Sequence, residues 1–419
     1  MKRFVIKGGR PLEGEIRISK AKNSVLPIMA STLLTDEECH IKDVPLLQDV
    51  ITMKRLLEYV GKRIEFKDHT LIIRSSSKLK WEAPYKLVSQ MRASFCVLGP
   101  LLARHKKACV SLPGGCVIGS RPVDLHLRGL INLGANIKVK DGYVYAQTSK
   151  LRGRLIFLGG PFGPSVLATE NIMAASCLCE GQTIIENAAC EPEVVDLANF
   201  LKKMGAHIEG EGTPWIKIKG VKSLGGAEHT PIPDRIETGT FIIASLITQG
   251  EVLIKECHPQ HLGAFLDILK RAGSRMEIKN NQILVRPSKS LHSLSVSTHP
   301  YPGFPTDLQA QYMSLMSVSS GVCVIKENVF PDRFMHVGEL QRMGASIHRE
   351  GPYAVVEGKT QLYGAEVMAS DLRASAALVL AGLRAKGKTV VQRIYHLERG
   401  YEDLPDKLRR LGAKIKVSG

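Results

Sequence analysis

The sequence predicts an α/β protein of two domains, each made of three copies of one small α/β unit, with buried helices and a cleft between the domains. Three observations predict it. The chain has 419 residues, more than one ordinary core accommodates. Six segments, LLEYVGKRIEF, LINLGANIKV, FLKKMGAHIEG, LKRAGSRMEI, LQRMGASIHR and LRRLGAKIKV, repeat one pattern around Gly61, Gly134, Gly205, Gly273, Gly344 and Gly412, at spacings of 73, 71, 68, 71 and 68 residues. Between them lie stretches that are apolar all round, the mark of helices inside a core. Solenoid repeats run about 20–50 residues, so units of this length are layers within a domain rather than coils of a solenoid.

Within a unit the elements follow in order. An amphipathic helix comes first, as in EVVDLANFLKKMG, with apolar positions three and four apart. The repeated glycine suits the left-handed position that ends such a helix. A strand pair split by turn residues follows, as in IKVKDGYVYAQ. Next comes the apolar helix, as in ENIMAASCL, ETGTFIIASLI, LQAQYMSLMSV and RASAALVLAGL, and then a last strand such as TIIENA or TVVQRI. The sixth unit stops at IKVSG, and the N-terminal stretches FVIKGG, GEIRIS and NSVLPIMASTLL supply what it lacks. The expected division is 22–231 for one domain, and 1–21 with 232–419 for the other, a two-stranded crossing that suggests a hinged cleft.

Composition narrows the function. The hydrophobic content of 44% and the absence of an apolar run of membrane-spanning length fit a soluble protein. MKRFVIKGGRPLEGE has no signal-peptide pattern. The nine cysteines include no CxxC pair, so neither a zinc ribbon nor a disulfide framework is expected, and the reading is a reduced, cytoplasmic protein. Cys96, Cys109, Cys177 and Cys323 read as small buried hydrophobes. A net charge of +17 fits either nucleic acid or a multiply charged small anion. Aromatic residues are only 5%, with no basic run interleaved with aromatics, which moves nucleic acid down.

Aligning the units sets a polar cluster at the start of every apolar helix: Lys22-Asn23, Arg92, Ser165, Arg235 with Glu237, Asp307, and Asp371 with Arg373. A helix start offers unpaired N–H groups and a favourable dipole to an anion, and Lys or Arg strengthens the site. Each cluster taken singly is also an ordinary cap. Six such starts converging on one cleft favour an anionic substrate. Between units, SLPGGCVIGSRPVDLH places Cys116 among Pro113, Gly114, Gly115, Gly119 and Pro122, beside Arg121. Glycines permit a mobile loop, and a neighbouring cation favours the thiolate, so the residue is either a reactive lid thiol or an incidental one.

SLPGGCVIGSRPVDLH, AKNSVLPIMA, PDRIETGTF, FPTDLQAQ, NVFPDRFMH, DLRASAALVLAG and RIYHLERGYE, spread over the full length, resemble the UDP-N-acetylglucosamine 1-carboxyvinyltransferases, the enolpyruvyl transferases of peptidoglycan synthesis. The resemblance implies two domains of three α/β units with the substrates in the cleft between them. It implies transfer of the enolpyruvyl group of phosphoenolpyruvate to the 3′-hydroxyl of UDP-N-acetylglucosamine with release of phosphate, the first committed step of that pathway. It further implies Cys116 as the proton donor and the target of fosfomycin, with Asp307, Lys22 and Arg399 as the other catalytic residues. Lys22 and Asn23 fall at the phosphoenolpyruvate end and Arg92 near the nucleotide sugar. Arg121, Pro122, Val123, Asp124 and Leu125 hold the uridine portion, and Gly163, Pro164, Ser165 and Val166 face the diphosphate. Asp307 and Val329 contact the sugar, Arg121, Arg373 and Arg399 surround phosphoenolpyruvate, and Arg333 and Asp371 complete the substrate-binding set. No cofactor, metal, nucleic acid or membrane is expected, and a monomer is.

Four positions depart from the family's pattern: Leu167 and Lys20 stand where glycine is usual, Gly163 where some members carry lysine, and Cys190 where arginine is common. The rivals are the related enolpyruvyl transferase of the shikimate pathway, a non-catalytic nucleotide-binding paralogue, and an RNA-binding or RNA-processing protein on similar repeats. RNA binding would weaken steeply with salt, whereas a small substrate neutralises few charges.

Overall fold

A computed structural model describes residues 2–76, 79–114, 122–288, 290–358 and 361–419. Cys116 and Arg121 lie outside the described residues. The chain forms two compact units, one comprising Met1–Ser19 and Pro233–Gly419, the other built from described residues between Lys20 and Ile232. Each has its own hydrophobic core, with members running from Val25 to Leu224 in one and from Phe4 to Ile18 and Ile236 to Ile415 in the other.

Among the described residues six four-stranded sheets repeat one plan, three in each unit. In the second sheet, Lys107–Ser111 pairs in parallel with the edge strand Glu82–Ala83 and antiparallel with Tyr143–Gln147, which pairs antiparallel with Asn136–Lys140. The parallel pair is joined through a buried helix, as a parallel connection requires. The antiparallel hairpins show one wet face: Trp215–Lys219 and Tyr353–Glu357 alternate exposed and buried residues along their whole length.

The amphipathic helices Gln48–Val60, Asp124–Asn132, Pro192–Lys203, Gly263–Arg271, His336–Arg342 and Leu404–Arg410 each run up to one of the repeated glycines. All six glycines have φ between 92° and 115°, which a side chain would strain, so the spacing of the repeat is the spacing of these helix ends. The buried helices are Lys22–Ser31, Leu98–His105, Val166–Ser176, Arg235–Thr248, Gln309–Met316 and Leu372–Arg384. Two of them are entered through a 3₁₀ turn, Arg92–Val97 and Thr306–Leu308. Close packing between them depends on a glycine: a Cβ on Gly99 would lie 2.4 Å from the Asn171 backbone oxygen, while its N–H donates to Asn171 Oδ1 at 2.7 Å.

The expected completion of the sixth unit by all three N-terminal stretches is corrected. Arg3–Lys7 does lie in the sixth sheet, between Lys388–Gln392 and Lys414–Ser418. Glu13–Arg17 instead pairs in parallel with Glu251–Lys255 in the fourth sheet, and Lys22–Ser31 packs into the core of the other unit. The missing edge strand of the first sheet is supplied by Glu228–His229, parallel to Cys39–Ile41. The first and fourth repeats have therefore exchanged edge strands. Each of these sheets takes one parallel edge strand, five residues paired in the fourth sheet and two in the first.

Candidate active site

The helix starts are where the polar chemistry collects. In the unit that holds Asp307, the 3₁₀ turn Thr306–Leu308 presents that carboxylate to two guanidinium groups. Arg333 Nη1 donates to Oδ1 at 2.7 Å, and Arg373 donates to Oδ2 from Nη2 at 3.0 Å and from Nε at 3.2 Å. Asp307 keeps 27% of its side chain exposed, whereas both arginines are buried. Burial alone would raise its pKa; Arg373 and then Arg333 outweigh that and hold the carboxyl well below the usual carboxylate range. Two guanidinium groups on one carboxylate fix its position and direction.

Each member is fixed by its element. Arg373 occupies the first turn of Leu372–Arg384, where Asp371 accepts from the backbone N–H of Arg373 at 2.8 Å and of Ala374 at 3.1 Å. Asp371 thus does an N-cap's work. The Arg373 guanidinium lies 5.4 Å from the centre of the Tyr401 ring, a cation–π geometry. Gln311 Nε2 donates to the Asp307 backbone oxygen at 3.0 Å, which holds the turn from behind. Arg399 ends the 3₁₀ turn Ile394–Arg399, half-buried, and Val329 is half-buried on the segment after Val322–Lys326.

In the other unit, Lys22 opens its helix buried, and its Nζ pairs with Asp49 Oδ2 at 3.0 Å; Asn23 beside it is exposed. Ser24, one residue on, donates to Asp196 Oδ2 at 2.5 Å, and Asp196 Oδ1 meets His229 Nε2 at 2.8 Å, which anchors the first turn of this helix. The residues expected to hold the nucleotide come together on neighbouring elements. Arg92 Nη2 makes a long contact of 3.5 Å to the Pro122 backbone oxygen. Val123 and Asp124 begin the helix whose His126 Nδ1 lies 3.0 Å from Asn171 Nδ2, on the Val166–Ser176 helix. Gly163–Pro164 pairs with Gly159–Gly160, and Ser165 caps the next helix by accepting from the Ala168 N–H at 3.3 Å. Leu125 is buried against this loop, 3.3 Å from where a Gly160 Cβ would stand. Leu167 and Cys190 are both half-buried, and burial raises the Cys190 pKa.

Sequence reasoning missed three groups. Asp49 pairs with Lys22, and Glu327 and Thr306 support the Asp307 cluster; a lone acid or hydroxyl carries no pattern that marks it. Among the described residues no group of three or more His, Cys, Asp or Glu side chains is arranged to hold a metal ion. No helix among them is long and apolar enough to cross a membrane.

The profile of EPSP synthase (3-phosphoshikimate 1-carboxyvinyltransferase) matches residues 6–408. The enolpyruvyl transferase NikO from Streptomyces tendae superposes with a TM-score of 0.91 at 25% identity, covering 100% of this chain and 99% of that one. EPSP synthase from Acinetobacter baumannii shares the fold, with a TM-score of 0.72 at 18% identity over 100% of both chains. Fold and profile together define an enolpyruvyl, or carboxyvinyl, transferase. The UDP-N-acetylglucosamine 1-carboxyvinyltransferase of Methylacidiphilum infernorum is 52% identical over 415 residues, 99% of this chain and 98% of that one. That of Desulfosudis oleivorans is 51% identical over 416 residues, 99% of each. The chain belongs to the UDP-N-acetylglucosamine 1-carboxyvinyltransferase family.

Proposed function

We propose that this protein transfers the enolpyruvyl group of phosphoenolpyruvate to the 3′-hydroxyl of UDP-N-acetylglucosamine and releases phosphate, opening peptidoglycan synthesis. The observation that carries the reading is half-identity over essentially the whole length with two enzymes of that name. In the reaction the hydroxyl oxygen bonds to C2 of phosphoenolpyruvate while C3 takes a proton. The tetrahedral adduct then loses that proton and the phosphate. Cys116 supplies the C3 proton, a general-acid role that its sequence setting supports. Asp307 accepts a hydrogen bond from the attacking hydroxyl. Lys22, Arg121, Arg373 and Arg399 balance the carboxylate and phosphate charge through addition and elimination. Asn23 lies with Lys22 at the phosphoenolpyruvate end, and Arg92, Pro122 to Leu125, Gly163 to Val166, Val329, Arg333 and Asp371 bind or frame the sugar nucleotide.

The pairing of Asp307 with two arginines bears on its role. A carboxylate held so far below neutrality is a weak base, and proton transfer works best when the acceptor's pKa lies near the working pH. Asp307 therefore orients the hydroxyl, whose proton passes to the phosphate group of phosphoenolpyruvate as the C–O bond forms and departs with the released phosphate. The enzyme acts in the cytoplasm as a monomer, a reading that the eight described cysteines, all free, support for the compartment. The test is phosphate release with both substrates and with each omitted in turn. Release that requires both establishes the transfer; nucleotide binding without release identifies a non-catalytic relative.

A further inference from the structure

Behind the Asp307 cluster stands a fully buried carboxylate that the chemistry above does not use. Glu327 follows the strand Val322–Lys326 and is 0% exposed. Its Oε1 accepts from the backbone N–H of Val329 at 2.9 Å and of Phe330 at 3.0 Å, and from Thr298 Oγ1 at 2.6 Å. Its Oε2 accepts from Thr306 Oγ1 at 2.9 Å. That hydroxyl, its proton committed to Glu327, turns a lone pair to Arg333 Nη1 at 3.1 Å, the same nitrogen that holds Asp307 Oδ1 at 2.7 Å. One carboxylate thus fixes the backbone beside Val329 directly and Arg333 through one hydroxyl.

We infer that Glu327 is a positioning residue for the sugar hydroxyl, acting through Thr306 on Arg333 and so on the Asp307 carboxylate. The inference rests on the proposed transfer reaction and adds a residue to it. The direction of the bonds gives the relay its content. A Thr hydroxyl has one proton to give, and Glu327, having none to donate when ionised, takes it. The Thr306 oxygen can then only accept, which selects one placement of the Arg333 guanidinium. Charge-assisted bonds to a buried carboxylate are the strong class, so this placement is stiff.

Thr306→Val keeps the branched side chain and removes the hydroxyl, while Glu327 retains its three bonds to Thr298, Val329 and Phe330. Thr306→Ser restores the hydroxyl. Small misplacements of a reacting group cost on the order of a hundredfold, so Thr306→Val is expected to lower kcat by at least about tenfold. The KM for UDP-N-acetylglucosamine should rise, with the KM for phosphoenolpyruvate near wild type, and the melting temperature should fall because the buried Glu327 Oε2 loses its donor. Thr306→Ser should recover at least about half of kcat, since its hydroxyl occupies the same place. Glu327→Gln presents an N–H where Oε2 accepted, and its loss should not multiply with that of Thr306→Val in the double variant, the mark of groups acting as one. Wild-type kcat in Thr306→Val, equal damage in Thr306→Ser, or losses that multiply would each overturn the relay while leaving the transfer reaction standing. No phosphate release by the wild-type enzyme would overturn both.

Discussion

With two guanidinium groups on its carboxylate, Asp307 is held well below the ordinary aspartate range and is ionised at neutral pH. The sign follows from the depressed pKa: protonation begins only below the ordinary aspartate value of about 3.9, and the stabilisation by Arg333 and Arg373 is present above that value and lost as pH falls beneath it. The acid limb of kcat therefore does not report Asp307. Asp307→Ala is expected to lose at least about a hundredfold in kcat, the scale of misplacing a reacting group, while UDP-N-acetylglucosamine still binds in a calorimetric titration. The substitution also leaves two buried cations facing each other across the vacated place, so its melting temperature should fall. Unchanged turnover would remove Asp307 from the chemistry. Lys22 differs from this cluster, because its ammonium meets a carboxylate, Asp49, on the Gln48–Val60 helix. Two arginines meet one acid at Asp307 whereas a lysine meets an acid at Lys22, a distinction that the sequence pattern of six similar helix starts does not reveal.

The helix starts themselves were legible because every unit repeats them, and a repeat exposes what each copy must place at the same point. Ser165 and Asp371 cap their helices with side chains that accept from the following N–H groups, and so does Asp234, which the repeat did not single out. Illegible were the groups that the repeat does not share. Glu327 is one. Glu170, on the buried helix Val166–Ser176, is another: it is 1% exposed, and both carboxylate oxygens lack a hydrogen-bond partner among the described residues. Burial pushes its pKa well up, and Glu193 and Glu191 add to the shift. A raised pKa puts its favourable contribution below the ordinary glutamate value of about 4.3, and stability declines as pH rises from there toward the folded-state value, by up to about 1.4 kcal/mol per pH unit. Glu170→Gln, which is neutral at all pH, should raise the melting temperature at pH 8 and change it little at pH 5. An equal change at both pH values would show that Glu170 does not carry this linkage.

At the scale of the whole chain, periodicity identified six units but could not say which sheet takes which edge strand. The two stretches in question, Glu13–Arg17 and Glu228–His229, stand at equivalent places, each just ahead of a buried helix, so nothing in their spacing separates the two pairings. The structure resolves it by exchange, and the exchange makes the stretch from Lys20 to Ile232 self-sufficient. Its first sheet is closed by Glu228–His229, its two later sheets draw on the same stretch, and its core needs no residue from outside. The same terminal strand is tied down from the side, since His229 meets Asp196 and the Ile232 N–H donates to Asp196 Oδ2 at 3.1 Å. A fragment of residues 20–232 should therefore fold alone and melt in one cooperative transition, because a domain of this size with a complete core behaves as a unit. Ending the fragment at 226 deletes the edge strand, opens the Cys39–Ile41 strand on one side, and leaves the buried Asp196 without two of its partners. Loss of buried charged hydrogen bonds costs several kcal/mol, about 2–4 °C for each kcal/mol in a domain of this length, so the shorter fragment should melt roughly ten degrees lower or fail to fold. Equal melting temperatures for the two fragments would mean that the exchanged strand adds nothing, and that the other pairing would have served the chain as well.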